Sequence, residues 1–192
     1  MAPAGEWPKA AFTHDPSLSS FNTPPQAYPA NHCDSWYAYI ATGSVVLDNS
    51  MPDSPRVLLL QRSSGDSMPG RWEIPGGGCD DEDESILHSA ARELWEEAGL
   101  EATHIKSQVG QGELFTTSSG KRVCKFTFIV EAKPAAEGTL EVRLDPEEHQ
   151  KHKWATKQEV EAHMVGDVKL EFTSSNQERA VLSSFLLDLE PH

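Results

Sequence analysis

The chain has 192 residues, 38% of them hydrophobic, and a formal net charge of −14 at pH 7. That length suits one domain with a sizeable core; the acidic balance speaks against a nucleic-acid backbone or an anionic membrane surface as partner. Three widely spaced cysteines, Cys33, Cys79 and Cys124, argue against a disulfide scaffold. With no signal-peptide core and no apolar run of membrane-spanning length, a soluble cytoplasmic protein is expected.

Residues 1–34 carry Pro3, Pro8, Pro16, Pro24, Pro25 and Pro29, a density that blocks helix and central strand alike. They read as an irregular proline-rich arm pinned to the domain surface by Phe12, Phe21 and Tyr28, with the domain proper spanning 35–192. Within it, 35–48 is rich in β-branched and aromatic residues and reads as a strand. "RVLLLQR" (56–62) reads as a buried strand, and "RWEIP" (71–75) as a short one feeding three glycines. After an acidic helix, 104–117 and 121–132 form strands around "SSG", the second placing Cys124, Phe126, Phe128 and Val130 on one face. Residues 134–152 read as a long surface loop around a weak strand. Thr156 and Glu159 have capping-box spacing, and "NQERAVLSSFLLDL" (176–189) reads as a closing amphipathic helix. The order of elements predicts an α/β layered domain with one sheet between helices.

The acidic helix is expected over about 82–98, with Asp81 and Glu84 as a capping box and Gly99 as its stop. At about 100° per residue, Leu87, Ala91, Leu94, Trp95 and Ala98 share the arc that docks on the sheet. Glu93, Glu96 and Glu97 share the opposite arc and project away together. On composition alone such a face is simply solvated. Two features point instead to a divalent cation. Like charges one turn apart destabilise a helix, and no lysine on this helix offsets them. The adjoining "PGGG" also supplies flexible backbone whose carbonyls can turn inward to complete an oxygen shell.

This stretch resembles the Nudix box, G-x(5)-E-x(7)-R-E-U-x-E-E-x-G-U with U aliphatic. Gly78, Glu84, Arg92, Glu93, Leu94, Glu96, Glu97, Gly99 and Leu100 match it in order. The lead-in "LLLQR…GRWEIPGGG" is similar too, and the resemblance spans about 36–187. It implies an α/β/α sandwich with a mixed central sheet and hydrolysis of a nucleoside diphosphate linked to another moiety. It implies Mg²⁺ or Mn²⁺ held by Glu93, Glu96, Glu97 and the Gly78 carbonyl. Arg92 would be held by Glu84 and would orient Glu93. The general base varies within the family, from a box glutamate such as Glu96 to one on a later loop, here Glu147 or, in preference, Glu148.

Outside the box, Arg62 is expected to contact a substrate phosphate; Trp72 and Trp95 read as core residues, Trp72 being the one placed to reach the pocket and stack on a base. His88 reads as incidental, Cys79 as unactivated, and "HQKH" (149–152) as solvated histidines on a polar loop rather than a zinc site. The expected ligand is a small nucleotide or other diphosphate, with no membrane or long nucleic acid. The alternatives are a non-nucleotide substrate such as a prenyl diphosphate, the isomerase that shares this fold, or a non-catalytic binding module. "ANHCDS" around Cys33 resembles the isomerase's cysteine motif only superficially, and the intact box favours hydrolysis. The charge balance disfavours an RNA-cap substrate.

Overall fold

A computed structural model describes residues 7–9, 11–28, 37–135 and 138–187 of the chain. In chain order its strands are β1 (Thr13–His14), β2 (Tyr39–Val45), β3 (Leu47–Asp48), β4 (Arg56–Arg62) and β5 (Trp72–Glu73), and after helix α1 (Ile86–Ala98) come β6 (Ala102–Gln108), β7 (Glu113–Thr116), β8 (Arg122–Ala132) and β9 (His149–Thr156). Helix α2 (Lys157–Glu161), the hairpin β10 (Met164–Val165) and β11 (Val168–Lys169), and helix α3 (Ser175–Leu187) close the chain. The Cys33 motif lies outside the described residues.

The β-branched and aromatic run of β8 makes it the central strand of a mixed sheet. It pairs in parallel with β2 and antiparallel with β6 and β7. A second, antiparallel sheet places β4 between β9 on one side and β3 and β5 on the other. Because side chains alternate along a strand, β4 feeds two cores. Leu58 and Leu60 join Leu87, Ala91 and Leu94 of α1 and Phe126 and Phe128 of β8, whereas Val57 and Leu59 join Trp72, Ile74 and Val181 and Phe185 of α3. The two helices thus back onto separate cores of an α/β fold with a mixed sheet.

The proline-rich segment enters the first of these cores. Prolines open the two 3-10 turns at Pro16–Phe21 and Pro25–Ala27, where a fixed φ and a missing N–H cost nothing. Thr13 and His14 extend the sheet beside β6. Phe21 is buried, with its ring 5.0 Å from that of Phe126 and 5.2 Å from that of Phe128, and it stacks on Tyr28 at 5.4 Å. Phe12 lies 4.9 Å from the His88 ring, so that histidine anchors the segment to α1.

Two expected elements differ. The helix begins at Ile86, with Ser85 as N-cap accepting from the His88 N–H at 3.2 Å. The Asp81–Glu84 box does not form, because Asp83 is engaged elsewhere and residues 80–84 remain in turns. "HQKH" lies on β9, paired with Gln61 and Arg62, and not on a loop. No strand forms among the described residues of 133–148; Leu140, Val142 and Leu144 pack there on the core as irregular chain. The capping box at Thr156 and Glu159 forms as expected.

Candidate active site

The glycine run lies flat against β2. The Thr42 N–H donates to the Gly77 carbonyl at 2.8 Å, that of Ser44 to Pro75, and that of Cys79 to the Ile40 carbonyl. Gly76 sits at φ +148°, and a Cβ there would lie 2.2 Å from the Thr42 carbonyl oxygen. A Cβ on Gly77 would lie 2.6 Å from Glu93 Oε2, whereas one on Gly78 would meet nothing within 4 Å. Two missing side chains therefore let backbone close onto β2 on one side and onto the α1 carboxylates on the other.

Those carboxylates do not project into solvent together. Glu93 and Glu97 are buried and only Glu96 is exposed. The 93/97 edge of α1 faces the glycine run, a surface that helical periodicity alone cannot distinguish from water. Trp95, expected in the apolar arc, is half-buried with the Arg143 guanidinium 5.8 Å from its ring centroid. Glu97 Oε2 accepts the Gly76 N–H at 2.8 Å. Burial, reinforced by the neighbouring Glu93 charge, holds the Glu97 carboxyl well above the usual carboxylate range. Burial likewise pushes Glu93 up to about 7 against the opposing pull of Arg92.

Arg92 is the hub. It donates to Glu93 Oε1 at 2.9 Å, to Glu96 Oε2 at 2.8 Å and to the Gly78 carbonyl at 3.0 Å. Its anchor is Asp83, gripped by two hydrogen bonds of 2.9 Å each. The expected anchor, Glu84, is exposed and lies 3.6 Å from His88 instead. Burial alone would raise the Asp83 carboxyl, but hydrogen bonds from Arg92 and the Asp80 N–H bring it below its ordinary value. Asp83 outside the matched pattern does the holding because the turn before Ser85 directs it under the helix. The motif names a different carboxylate, so sequence carried no signal for it.

Glu148 comes to the same place from the far side. The 138–148 chain runs past the end of α1, where Gly99 takes a left-handed φ of +66° and the Arg143 N–H donates to the Ala98 carbonyl. Ser63 then fixes the tip: its N–H donates to the Glu148 carbonyl at 2.8 Å and its hydroxyl to that of Glu147 at 2.9 Å. Ligand atoms of Glu97, Glu148 and His149 lie within 4.8 Å of one another. His149, expected to be solvated, is instead buried, with Nε2 3.2 Å from Glu73 Oε1.

Two expected substrate contacts fare differently. Arg62 lines the cavity beside the glycines, but its guanidinium is ion-paired with Glu73 and Asp66. Trp72 is fully buried in the α3-side core and donates to the Lys169 carbonyl at 3.2 Å, so it is not a stacking surface. Its short strand turns it inward because Glu73, the next residue, takes the cavity side. Burial pushes the Cys79 thiol up to about 12, which leaves it inert.

The cavity itself is about 600 Å³, walled by the glycine run, Glu73, Tyr39, Phe115, Lys121 and Lys125. Against the glycine run that lines it, carboxylates crowd together around Arg92. The donors are hard oxygens beside a single imidazole, and burial raises the pKa of both buried glutamates. This set fits a hard divalent cation.

The NUDIX domain family model matches residues 38–174, and the chain belongs to that family. The fold is shared with a MutT NUDIX hydrolase from Burkholderia pseudomallei: TM-score 0.56, 18% identity, 76% of this chain and 96% of that one covered. An Ap4A hydrolase from C. elegans, solved as a binary complex, gives a TM-score of 0.56 at 22% identity over 79% of this chain and 100% of that one. The NUDIX domain of Shewanella oneidensis NrtR, complexed with ADP ribose, gives a TM-score of 0.56 at 19% identity over 90% and 98%. No curated protein sequence matches the chain significantly. Family and intact box together make the chain a hydrolase of phosphoanhydride bonds. No described helix is long and apolar enough to cross a membrane.

Proposed function

We propose that the chain is a cation-dependent pyrophosphohydrolase acting on a nucleoside di- or triphosphate, or on a nucleoside diphosphate linked to another moiety, in the cytoplasm. The observation that carries this reading is the convergence of Glu93, Glu97 and Glu148 beside the glycine run that lines an open cavity. Solved relatives named for Ap4A and ADP ribose support a nucleotide-derived substrate, and three widely spaced cysteines suit a reducing compartment.

Mg²⁺ or Mn²⁺ would be held by Glu93, Glu96 and Glu97 with the Gly78 carbonyl. The cation supplies charge that neutralises phosphate oxygens and makes an attacking water easier to deprotonate. Without it, a chain of charge −14 would repel a polyphosphate. Arg92 fixes the rotamers of Glu93 and Glu96, and Asp83 fixes Arg92. Glu148, exposed and tethered through Ser63, takes the proton as water adds to phosphorus and the bridging P–O bond breaks.

A panel of nucleoside triphosphates, dinucleoside polyphosphates, nucleoside diphosphate sugars and a prenyl diphosphate tests this, read as released phosphate or nucleoside monophosphate. Turnover of a nucleotide with Mg²⁺ or Mn²⁺, abolished by chelator and by Glu97→Gln, is expected. Turnover of the prenyl diphosphate alone, or equal turnover in chelator, would overturn it.

A further inference from the structure

Two aromatic side chains are left exposed within the cavity wall. Tyr39 is 47% exposed and Phe115 39%. Both face the same residue: Tyr39 opposes Val123 from β2, and Phe115 opposes it from β7. Residues in register across neighbouring strands point to the same face. All three side chains line the cavity that the glycine run closes. Adjacent strands lie about 4.8 Å apart, so the two aromatic positions are separated by about 10 Å, a gap that admits one planar ring.

The same face carries cations. Lys125 lies two residues beyond Val123, and the Lys121 ammonium sits 4.5 Å from the centroid of the Tyr39 ring. Both lysines line the cavity, Lys125 in register with Glu113 of β7. The nearby Arg62, by contrast, is neutralised by Asp66 and Glu73. In a chain this acidic, two ammonium groups lining one cavity offer counter-charge to an anion.

We propose that Tyr39 and Phe115, flanking Val123, form the slot that takes the aromatic base of the substrate, with Lys121 and Lys125 engaging phosphates on the β8 side. The proposal rests on the reading of the site as a nucleotide pyrophosphohydrolase and adds that selectivity comes from the base. A prenyl chain would use the apolar wall but gain nothing from stacking. Base–aromatic stacking is strong enough for roughly a tenfold preference per contact.

The test is equilibrium binding, by calorimetry with Mg²⁺ present, of a methylene-bridged adenosine triphosphate analogue and of methylenediphosphonate, which lacks the base. The wild-type chain is expected to bind the nucleotide at least tenfold more tightly. In Phe115→Ala combined with Tyr39→Ala, that ratio should collapse towards one. Lys121→Ala with Lys125→Ala should instead weaken the nucleotide several-fold through its phosphates and keep a preference for the base. Equal binding of both ligands by the wild type, or a preference surviving loss of both aromatic rings, would overturn the proposal. Failure of the hydrolase reading would look different, as nucleotide bound with the expected preference but never cleaved.

Discussion

The carboxylates packed against the glycine run should make the cation-free protein less stable as pH rises, and Glu93→Gln should relieve this. Glu93 is buried, and its pKa is raised from 4.5 to about 7, chiefly by that burial. The folded state therefore binds this proton more tightly than the unfolded chain does. Below about pH 4.5 the group is protonated in both states and costs nothing; between about 4.5 and 7 the folded state loses ground; above about 7 the full cost is present. At about 1.4 kcal/mol per pKa unit the shift corresponds to about 3 kcal/mol. Glutamine keeps an acceptor for Arg92 and removes the charge. Urea unfolding in chelator at pH 5, 7 and 8.5 should show the variant's advantage growing to about 3 kcal/mol, equivalent to about 6–12 °C in Tm for a chain of this size. A variant no more stable than wild type at pH 8.5, or an advantage independent of pH, would refute the reasoning.

Asp83→Ala removes both strong contacts to a largely buried guanidinium. It should cost about 3 kcal/mol in urea unfolding, whereas Glu84→Ala should stay within about 0.5 kcal/mol. Gly77→Ala places a methyl against the end of the Glu93 side chain, which can move. Turnover should then fall by about 100-fold with Tm little changed, while Gly78→Ala, which meets nothing, retains activity in the same assay. Phe21→Ala, in the proline-rich segment, should cost about 3–5 kcal/mol in denaturant unfolding because its ring fills the core between Phe126 and Phe128; a surface-pinned arm would give less than about 1 kcal/mol.

The sequence was most readable where one periodicity faces one environment. The strand 56–62 forms with those limits, and the alternation of Cys124, Phe126, Phe128 and Val130 marks a buried face. The helix stop at Gly99 was also visible, since a left-handed residue there favours glycine. The failures share a cause. Helical period predicts direction but not what lies there, so Glu93 and Glu97 are expected to project away together with Glu96, although glycine backbone covers them. Trp72, Asp83 and His149 depend on contacts distant in sequence: the α3 core, Arg92 and Glu73. The proline-rich segment was read by what proline forbids, although Leu18, Phe21 and Tyr28 supply enough apolar surface to enter the core.

The most direct test of the central claim is a titration of the chelator-stripped protein with Mn²⁺, following loss of the free-ion electron paramagnetic resonance signal. The account predicts saturable binding in the wild type and a loss of at least tenfold in affinity in Glu97→Gln. Mn²⁺ left free at millimolar protein, or bound equally well by the variant, would contradict it.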